Sequence, residues 1–505
     1  RNVMEIQKRK YDILIILIII MASLAFFGGY LHNTYQTDTY SYVFYPYRDG
    51  YLKMIKDQGR YAQWLYFTPW FLFGKNPSTM PGVQVAVALT VNGAMMFTLW
   101  KVLYRQLHMD TYSAEYNFLL LFLVISMRLT VFETDIIQFG YFSTVTFLGD
   151  YFALISAIII SLVKKKSAVI IAGILLIISI TFMQPSVFWF VPFSVILMFC
   201  DYIKNKDGFV LAKEILKRIM VYAAACVWQL LIFGILIRPQ GGRGDLSKIN
   251  IVSSLHRIAD TLQWLLKDCM GVMPPYLYTI FCIIGMMAIV AVFCTRIDKK
   301  GRILDIVIIV LSLLGTVAAV FVPCFIDEGI THRAISGYML LLPLICFYSF
   351  ILLPKCRENV GRYVYIILLA VVMLNLSVNW FSSTELYKEQ VIVNAIDQAD
   401  TKFYYSLIKK YELETGVEVT KIARGGDTNP TRVLSGTTSS KSINERAMNT
   451  SWGFRDIFPF VTGRRFDVAE FDSAVYDQYF AGKDWDVLSE EQVVCIGDTA
   501  YIVYY

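Results

Sequence analysis

Long apolar runs separated by short polar segments dominate the first 381 residues of the chain. A helix needs about 17 to 25 apolar residues to cross a bilayer, and each run is long enough. The pattern predicts an α-helical polytopic membrane protein with about eleven transmembrane helices. The predicted helices lie at residues 12–31, 82–104, 116–132, 143–163, 167–184, 185–204, 217–237, 276–295, 303–324, 337–353 and 362–381.

The pattern changes at residue 382, where charged residues and glycine become frequent and no later run can span a bilayer. We therefore predict two domains: a transmembrane domain over residues 1–381 and a small soluble α/β domain over residues 382–505. The elements predicted for the soluble domain are a helix over 383–413, a strand over 417–422 and a hairpin with strands 493–496 and 501–504 around a turn at Gly497 and Asp498.

Two predicted loops, residues 32–81 and 238–275, are much longer than simple connections and fall on the same side as the soluble domain. Both contain apolar and aromatic residues at helical spacing, among them Trp64, Leu65 and Leu262. We expect amphipathic helices that lie along the membrane interface.

Basic residues predict the orientation of the chain, because Lys and Arg concentrate in short cytoplasmic loops. Six basic clusters, the first at Lys8 to Lys10, lie at the N-terminus and in every second loop between the predicted helices, which places all six on the same side of the membrane. The N-terminus is therefore predicted to be cytoplasmic and the C-terminal domain extracytoplasmic. Since no small-residue cleavage site follows the first apolar run, we interpret that run as a retained transmembrane helix.

Composition agrees with this interpretation. Of the 505 residues, 56% are hydrophobic and only 17% are charged, which excludes an ordinary soluble domain. The net charge of +6 comes from basic residues between apolar runs and not along one face, so no nucleic-acid partner is predicted. The nine Cys residues are scattered singly without CxxC spacing, which indicates neither a zinc site nor a disulfide framework.

Asp38 is the first candidate for chemistry, because it follows the first predicted helix by about seven residues and should lie just above the membrane surface. Next to the apolar surface of the membrane region the pKa of a carboxyl rises, and the group can then take a proton from a hydroxyl as a general base. The alternative is a solvated loop acid or a helix cap.

Arg60 and Arg333 are candidate ligands for a lipid-linked phosphate, which a guanidinium can bind through two hydrogen bonds. Arg60 follows Gly59 directly before an aromatic segment, so it alternatively anchors a helix among lipid headgroups. Arg333 ends a short polar loop in which Asp327 or Glu328 is expected to orient it.

His332 lies in the same loop as these acids, which raises a metal site as one interpretation. A lone histidine among loop residues more often serves as a hydrogen-bonding group, so no metal ligand is assigned. The Gly-rich segment at Arg243 lacks the strand and helix that flank a phosphate-binding loop, and it is interpreted as a flexible entrance to the second long loop.

Asp150 lies inside the fourth predicted helix, where a charge is costly and therefore suggests a functional site. Asp135 precedes it in a loop on the same side, and Asp49 and Asp57 lie in the first long loop. We expect these carboxylates to line one polar cavity at the outer leaflet, with the long loops above it.

The order of these features resembles the GT-C superfamily of membrane glycosyltransferases, with an aspartate outside the first helix, interfacial loop helices and a C-terminal exoplasmic domain. More narrowly, Thr37-Asp38 through Gly59-Arg60, with Trp64 soon after, is similar to the bacterial type II serotype-converting glucosyltransferase (Gtr) family. The likeness covers most of the membrane part. The stretches 444–446 and 452–456 resemble the C-terminal region of some members of the family, and no role is assigned to them.

This resemblance implies a sugar donor carried on polyprenyl phosphate, most simply glucose, and a cell-surface glycan as acceptor. Asp38 would deprotonate the acceptor hydroxyl in an inverting transfer, and Arg60 and Arg333 would stabilise the departing phosphate. Many members of the family have paired acids where this chain has Asp38 followed by Thr39, and this difference argues against a two-carboxylate or metal-assisted mechanism. A divalent metal is possible but is not supported. No other cofactor is implied.

The resemblance also implies a multi-pass protein of the bacterial inner (plasma) membrane that works with a polyprenyl-phosphate glycosyltransferase and a flippase. The main rival interpretation is a transporter or lipid flippase, which many helices and an intramembrane Asp150 also suit. Transporters usually have internal repeats and charges near the midplane, whereas polar residues here cluster at one surface. A structural or assembly protein is the third interpretation, and it does not explain why polar residues are concentrated in the loops.

Overall fold

The computed structural model of the chain describes residues 2–44, 54–55, 57–237, 250–296, 301–326, 330–426, 443–485 and 487–504. It is mostly helical, with one small sheet near the C-terminus. The helices are α1 (Asn2–Phe27), α2 (Thr37–Phe44), α3 (Tyr61–Leu72), α4 (Pro81–Gln106), α5 (Ala114–Arg128), α6 (Gly140–Leu162), α7 (Ser167–Phe182), α8 (Phe190–Asn205), α9 (Gly208–Leu231), α10 (Ile251–Asp268), α11 (Leu277–Thr295), α12 (Arg302–Val320), α13 (Leu341–Leu352), α14 (Glu358–Thr415), α15 (Ser451–Thr462) and α16 (Ser473–Tyr479). The strands are β1 (Lys421–Gly426), β2 (Asp467–Ala469), β3 (Val493–Ile496) and β4 (Thr499–Tyr504).

Among the described residues, nine helices are long and apolar enough to cross a membrane. The other two predicted transmembrane segments are shorter helices, α5 with 15 residues and α7 with 16. The helical fold class is confirmed, and these lengths and compositions are those of a multi-pass membrane protein.

Several basic loops meet at one end of the helical bundle. Lys101 near the end of α4 forms a salt bridge with Asp12 of α1. Asp305 near the start of α12 pairs with Lys206, which follows α8, at 2.6 Å, and also with Arg296, which follows α11. These contacts join neighbouring segments that the sequence predicts to be cytoplasmic.

Helix α14 connects the two parts of the protein. It is 58 residues long, so at a rise of 1.5 Å per residue it extends about 87 Å. The predicted membrane segment 362–381 and the predicted helix 383–413 are its two halves, and it ends at Gly416, whose φ of +73° lies in the left-handed region. One continuous helix therefore joins the membrane part to the C-terminal domain.

The sheet has the strand order β2-β1-β4-β3. The antiparallel hairpin of β3 and β4 is confirmed, and β1 lies parallel to both β2 and β4. The predicted strand at 417–422 is wrong in position, since β1 runs over Lys421–Gly426. The reason is that α14 continues to Thr415, so residues 416–420 are needed to bring the chain back to the sheet.

The protein has separate hydrophobic cores in its membrane part and in its C-terminal domain. Tyr40 of α2 is buried in the second core, together with Phe454 and Phe458 of α15 and Ile422 of β1. Helix α2 therefore belongs to the core of the C-terminal domain, although it follows the first membrane helix in the sequence.

The helices predicted in the long loops are present as α3 and α10. Helix α10 begins at Asn250, whose side chain accepts hydrogen bonds from the next turn. Its apolar side chains Ile251, Val252 and Trp264 are exposed, as is Leu65 of α3. Exposed apolar residues on an amphipathic helix such as α10 are typical of a helix at a membrane interface.

Candidate functional site

Asp38 lies in the first turn of α2, at the junction between the membrane part and the C-terminal domain. Its backbone N–H donates to Oε1 of Gln36 at 2.8 Å. Its carboxylate Oδ1 accepts a hydrogen bond of 2.8 Å from the indole Nε1 of Trp452, 414 residues further along the chain. The candidate base is therefore half-buried and held by a residue of the C-terminal domain.

The segment before Asp38 is fixed by side chains of α14. The backbone N–H of Tyr35 donates to Oδ1 of Asn394 at 2.8 Å, and Nε2 of Gln390 donates to the Tyr35 carbonyl oxygen at 2.8 Å. The ring of Tyr35 packs edge-on against Phe460 of α15, with ring centroids 4.7 Å apart. The long helix and the C-terminal domain thus jointly set the position of Asp38.

A close approach of α15 to α2 brings Trp452 to Asp38, and this approach requires glycine at position 453. A Cβ atom on Gly453 would lie 2.5 Å from Cγ2 of Thr37, closer than real Cβ contacts. The hydroxyl of Thr37 also donates to the backbone oxygen of Glu445 at 3.3 Å. The two segments of the C-terminal domain, at 445 and 452, therefore both touch the start of α2.

Arg446 anchors this part of the C-terminal domain to α14. Its Nε donates to Oδ1 of Asp397 at 2.9 Å, and its Nη2 donates to Asp400. Oδ2 of Asp397 also accepts the backbone N–H of Ala447, at 2.6 Å. Because all three charged side chains are buried, this contact fixes the position of the adjacent Glu445.

Glu445 interacts electrostatically with three charged groups of the site. Burial raises the pKa of its carboxyl, and the negative charge of Asp38 raises it further. The positive charges of Arg333 and Arg424 act in the opposite direction and lower that pKa. The carboxyl of Asp38 and the guanidinium groups of Arg333 and Arg424 therefore each lie within interaction range of Glu445.

Arg333 is held by Asp135. Its Nη1 donates to Oδ1 of Asp135 at 2.9 Å, and its backbone N–H donates to Oδ2 at 3.0 Å. Gln138 donates to the same carboxylate at 2.9 Å and accepts the backbone N–H of Asn444 at 3.4 Å. The Arg333 guanidinium carbon lies 4.5 Å from the ring centroid of Phe139, and 19% of the side chain is exposed.

Arg60 lies at the start of α3, after a turn in which Gly59 has a φ of +64°. Its Nε donates to Oε1 of Gln184 at 3.0 Å, and its guanidinium lies 5.4 Å from the ring centroid of Phe142. Phe142 also contacts Tyr42, one turn after Asp38 on α2, with ring centroids 6.2 Å apart. Arg60 is therefore connected to the Asp38 site through two aromatic rings.

Asp150 belongs to a second cluster, inside the helical bundle. Its Oδ2 accepts a 2.9 Å hydrogen bond from Nη2 of Arg128, and Nη1 of Arg128 lies 3.4 Å from Oε1 of Glu133. Nε of Arg128 donates to Asn92 at 3.0 Å, and its guanidinium lies 4.1 Å from the ring centroid of Trp189. One buried cation is thus placed between two buried carboxylates.

The remaining predicted site residues differ in burial, and three of them are not described by the structure. His332 is buried, with its Nε2 3.2 Å from the backbone oxygen of Met270, and burial lowers its pKa. Asp57 is exposed. Asp49, Asp327 and Glu328 lie outside the described residues. Within the described part of the chain, no group of three or more His, Cys, Asp or Glu side chains is arranged to hold a metal ion.

An apolar cavity of ≈ 740 Å³ lies between α10, α11, α12 and α13. Leu262 and Leu266 of α10 line one side, and Met286 and Met287 of α11 line another. Tyr338, five residues after Arg333, is also part of its wall. Its lining suits a hydrocarbon chain and not a polar substrate.

Sequence reasoning did not assign a role to Trp452, Glu445 or Arg446, although it singled out the segments that contain them. It also missed Arg128 and Glu133, since both lie in or next to a predicted apolar segment. The unusual presence of an arginine in such a segment is the signal that points to the second cluster.

Comparisons of the chain with protein families, with curated proteins and with solved structures found no match.

Proposed function

We propose that this protein is a membrane glycosyltransferase that moves a sugar, in the simplest case glucose, from polyprenyl phosphate to a hydroxyl of a cell-surface glycan. The single observation that carries the proposal is the position of Asp38, half-buried at the junction of the two domains and hydrogen-bonded to Trp452. A carboxylate that is partly withdrawn from water and held in one orientation can accept a proton from a bound hydroxyl.

In the proposed reaction, the oxygen of an acceptor hydroxyl attacks the anomeric carbon of the donor from the side opposite to the phosphate. The hydroxyl proton passes to a carboxylate oxygen of Asp38. The bond between the anomeric carbon and the phosphate oxygen breaks, and its electron pair stays on that oxygen. The products are a glycoside of inverted configuration and the polyprenyl phosphate anion, so atoms and charges balance.

Arg333 is proposed to stabilise the departing phosphate. The salt bridge with Asp135 orients its guanidinium and leaves part of the side chain accessible. A cation fixed in advance stabilises developing negative charge without paying for reorganisation during the reaction. Arg60 is proposed as a second phosphate ligand, since Gln184 and the face of Phe142 hold its guanidinium near α2.

The lipid part of the donor is proposed to lie in the apolar cavity between α10, α11, α12 and α13. Tyr338 belongs to the cavity wall, and His332 is hydrogen-bonded to Met270 just after α10, the helix that forms one side of the cavity. This arrangement lets one ligand place its phosphate near a guanidinium and its hydrocarbon chain among apolar side chains. We further propose the bacterial inner membrane as the location, with the C-terminal domain extracytoplasmic, and a polyprenyl-phosphate glycosyltransferase and a flippase as the proteins that supply the donor.

The test is to offer radiolabelled polyprenyl-phosphate glucose to the detergent-solubilised full chain and to follow the label. Transfer of label to an added glycan, or its release as free glucose when water is the acceptor, supports the proposal. If label stays on the lipid in detergent and with every added glycan, the proposed activity is wrong.

A transporter or lipid flippase is the second candidate, and the cluster of Arg128, Asp150 and Glu133 favours it. Buried charges inside a helical bundle often mark an ion or proton pathway. This candidate predicts that reconstituted vesicles move polyprenyl-phosphate glucose from one leaflet to the other while the sugar-phosphate bond remains intact. The detergent assay separates the two functions, because flipping requires a bilayer and transfer does not.

A further inference from the structure

Trp452 combines two properties that are unusual together. Its indole N–H is bonded to Asp38, yet 46% of the residue is exposed. The polar edge of the ring is therefore fixed at the candidate base, while a large apolar face remains open to solvent. An exposed tryptophan held rigidly at a catalytic group is the kind of surface on which a ligand with an apolar face can stack.

Glu445 reaches the same end of α2, where its backbone oxygen accepts a hydrogen bond from Thr37 and its carboxyl interacts electrostatically with Asp38, and it has unused hydrogen-bonding capacity. Its side chain is half-buried, and its carboxylate oxygens accept no hydrogen bond from any residue within the described ranges. Partial burial of a carboxylate without donors is costly, and the like charge of Asp38 adds to that cost, while Arg333 and Arg424 offset part of it. A ligand that brings hydroxyl donors to this position would remove part of that cost.

A pyranose has the chemistry that both residues require. One face of the ring presents C–H groups, which pack on an aromatic surface, and its rim carries hydroxyl groups, which donate to carboxylates. A pyranose stacked on the indole of Trp452 would also place one of its hydroxyl groups next to Asp38, the proposed base.

We propose that Trp452 and Glu445 form the acceptor subsite, in which a pyranose of the acceptor glycan stacks on the indole and donates a hydroxyl hydrogen bond to Glu445. This inference rests on the proposed transferase function and adds a role for the C-terminal domain, which selects and orients the acceptor while the membrane part holds the donor. Trp452 and Glu445 then discriminate among acceptors, and Arg446 positions the adjacent Glu445 through its contacts with Asp397 and Asp400.

The other function of an exposed tryptophan in a membrane protein is to anchor a domain among lipid headgroups, where its N–H meets polar groups of the lipid. In this protein the N–H of Trp452 is already bonded to Asp38, which leaves only the face of the ring available. That geometry favours a stacked ligand over a headgroup contact.

The experiment uses the full-length protein, polyprenyl-phosphate glucose as donor, and methyl α-glucoside, methyl α-galactoside and methyl α-rhamnoside as acceptors. Trp452→Ala removes the stacking surface, and we expect the apparent KM for the best glycoside to rise about 3- to 10-fold while the KM for donor stays unchanged. Trp452→Phe keeps an aromatic face and loses the N–H, so it should hold the acceptor KM near wild type and lower kcat. Glu445→Gln should raise the acceptor KM about tenfold or more, because a charged hydrogen bond is replaced by a neutral one.

The matched control is Trp380→Ala. Trp380 is 48% exposed and donates its Nε1 to a backbone oxygen, at Ala25, but it lies in the membrane part on α14. Its replacement should leave both KM values unchanged. Thermal unfolding of each purified variant establishes that it is folded before kinetics are compared.

Saturation-transfer NMR of the three glycosides without donor separates this inference from the proposed activity. Glycoside binding to wild type that Trp452→Ala abolishes supports the subsite. The subsite is overturned if wild type hydrolyses donor but neither binds nor glucosylates any of the three glycosides, if Trp452→Ala changes the donor KM alone, or if its only effect is weaker association with phospholipid vesicles. Absence of both transfer and hydrolysis in wild type instead contradicts the activity itself.

Discussion

Asp135 accepts two hydrogen bonds from Arg333, one from the backbone N–H at 3.0 Å and one from the guanidinium Nη1 at 2.9 Å. Both the main chain and the side chain of the arginine are thus tied to one buried carboxylate. The orientation of the guanidinium is fixed before any ligand binds, which is the property required of a residue that stabilises a leaving anion.

Replacement of Arg333 or Arg60 by alanine should weaken the interaction with the donor phosphate. Since a hydrogen bond to a charged group contributes about 1.5–3 kcal/mol, we expect the donor KM or kcat/KM to change by about ten- to a hundredfold. Steady-state kinetics with varied polyprenyl-phosphate glucose measure this. Arg333→Lys should recover only part of the loss, because an ammonium group cannot form the two-point contact. An unaltered donor dependence in Arg60→Ala would assign that residue to anchoring of α3 alone.

Arg446→Met should destabilise the docking of the C-terminal domain. The variant leaves Asp397 and Asp400 buried without their cation, and breaking a buried ion pair in this way costs about 3–5 kcal/mol. Thermal unfolding and limited proteolysis of the domain measure the effect. Lys409→Ala, which removes an exposed pair with Glu412, is the control and should cost less than about 1 kcal/mol. Equal stability of the two variants would show that Arg446 does not anchor the domain.

In the cluster around Arg128, replacement of the arginine and replacement of Glu133 should have opposite effects on thermal stability. The cluster holds two carboxyls and one guanidinium, so ionisation of both acids would leave one buried negative charge in excess, and neither oxygen of Glu133 has a hydrogen-bond partner in the described part of the chain. Glu133→Gln should therefore maintain or raise thermal stability, whereas Arg128→Gln should lower it by about 3–5 kcal/mol. Thermal unfolding in detergent compares them. A loss in Glu133→Gln as large as that in Arg128→Gln would contradict this charge balance.

Glu445 should make stability depend on pH. Burial and the charge of Asp38 raise its pKa in the folded protein, so the folded state holds its proton more tightly than the unfolded state does. The penalty of ionising it is absent below the ordinary pKa of the group, grows between that value and the raised pKa, and is complete above the latter. Glu445→Gln should therefore raise the melting temperature at pH 7.5 and have little effect at pH 4. A stabilisation that is the same at both pH values would exclude ionisation of Glu445 as its cause.

The sequence correctly predicted those helices and strands whose structure is determined by the local segment alone. Apolar length located the membrane helices, turn residues at Gly497 and Asp498 located the hairpin, and helical spacing located α10. The strand at β1 was displaced because the end of α14, and not local propensity, decides where the chain can return to the sheet.

Most of the site depends on contacts between distant segments, which a single sequence does not reveal. Trp452 and Asp38 are separated by 414 residues, and Asp135 and Arg333 by 198. Asp135, from the segment between α5 and α6, orients Arg333, whereas the acids expected to do so, Asp327 and Glu328, lie outside the described residues. Arg128 was concealed in an apolar segment, so the partner of Asp150 was not predicted.

The central claim is that Asp38 removes a proton from the acceptor. Asp38→Asn preserves the size of the side chain and an oxygen that can accept the Trp452 hydrogen bond, so the variant should fold and bind polyprenyl-phosphate glucose as wild type does. Its turnover of the radiolabelled donor should fall by about 10²–10⁴-fold, the usual contribution of a general base. Wild-type turnover in a folded Asp38→Asn protein would contradict the account.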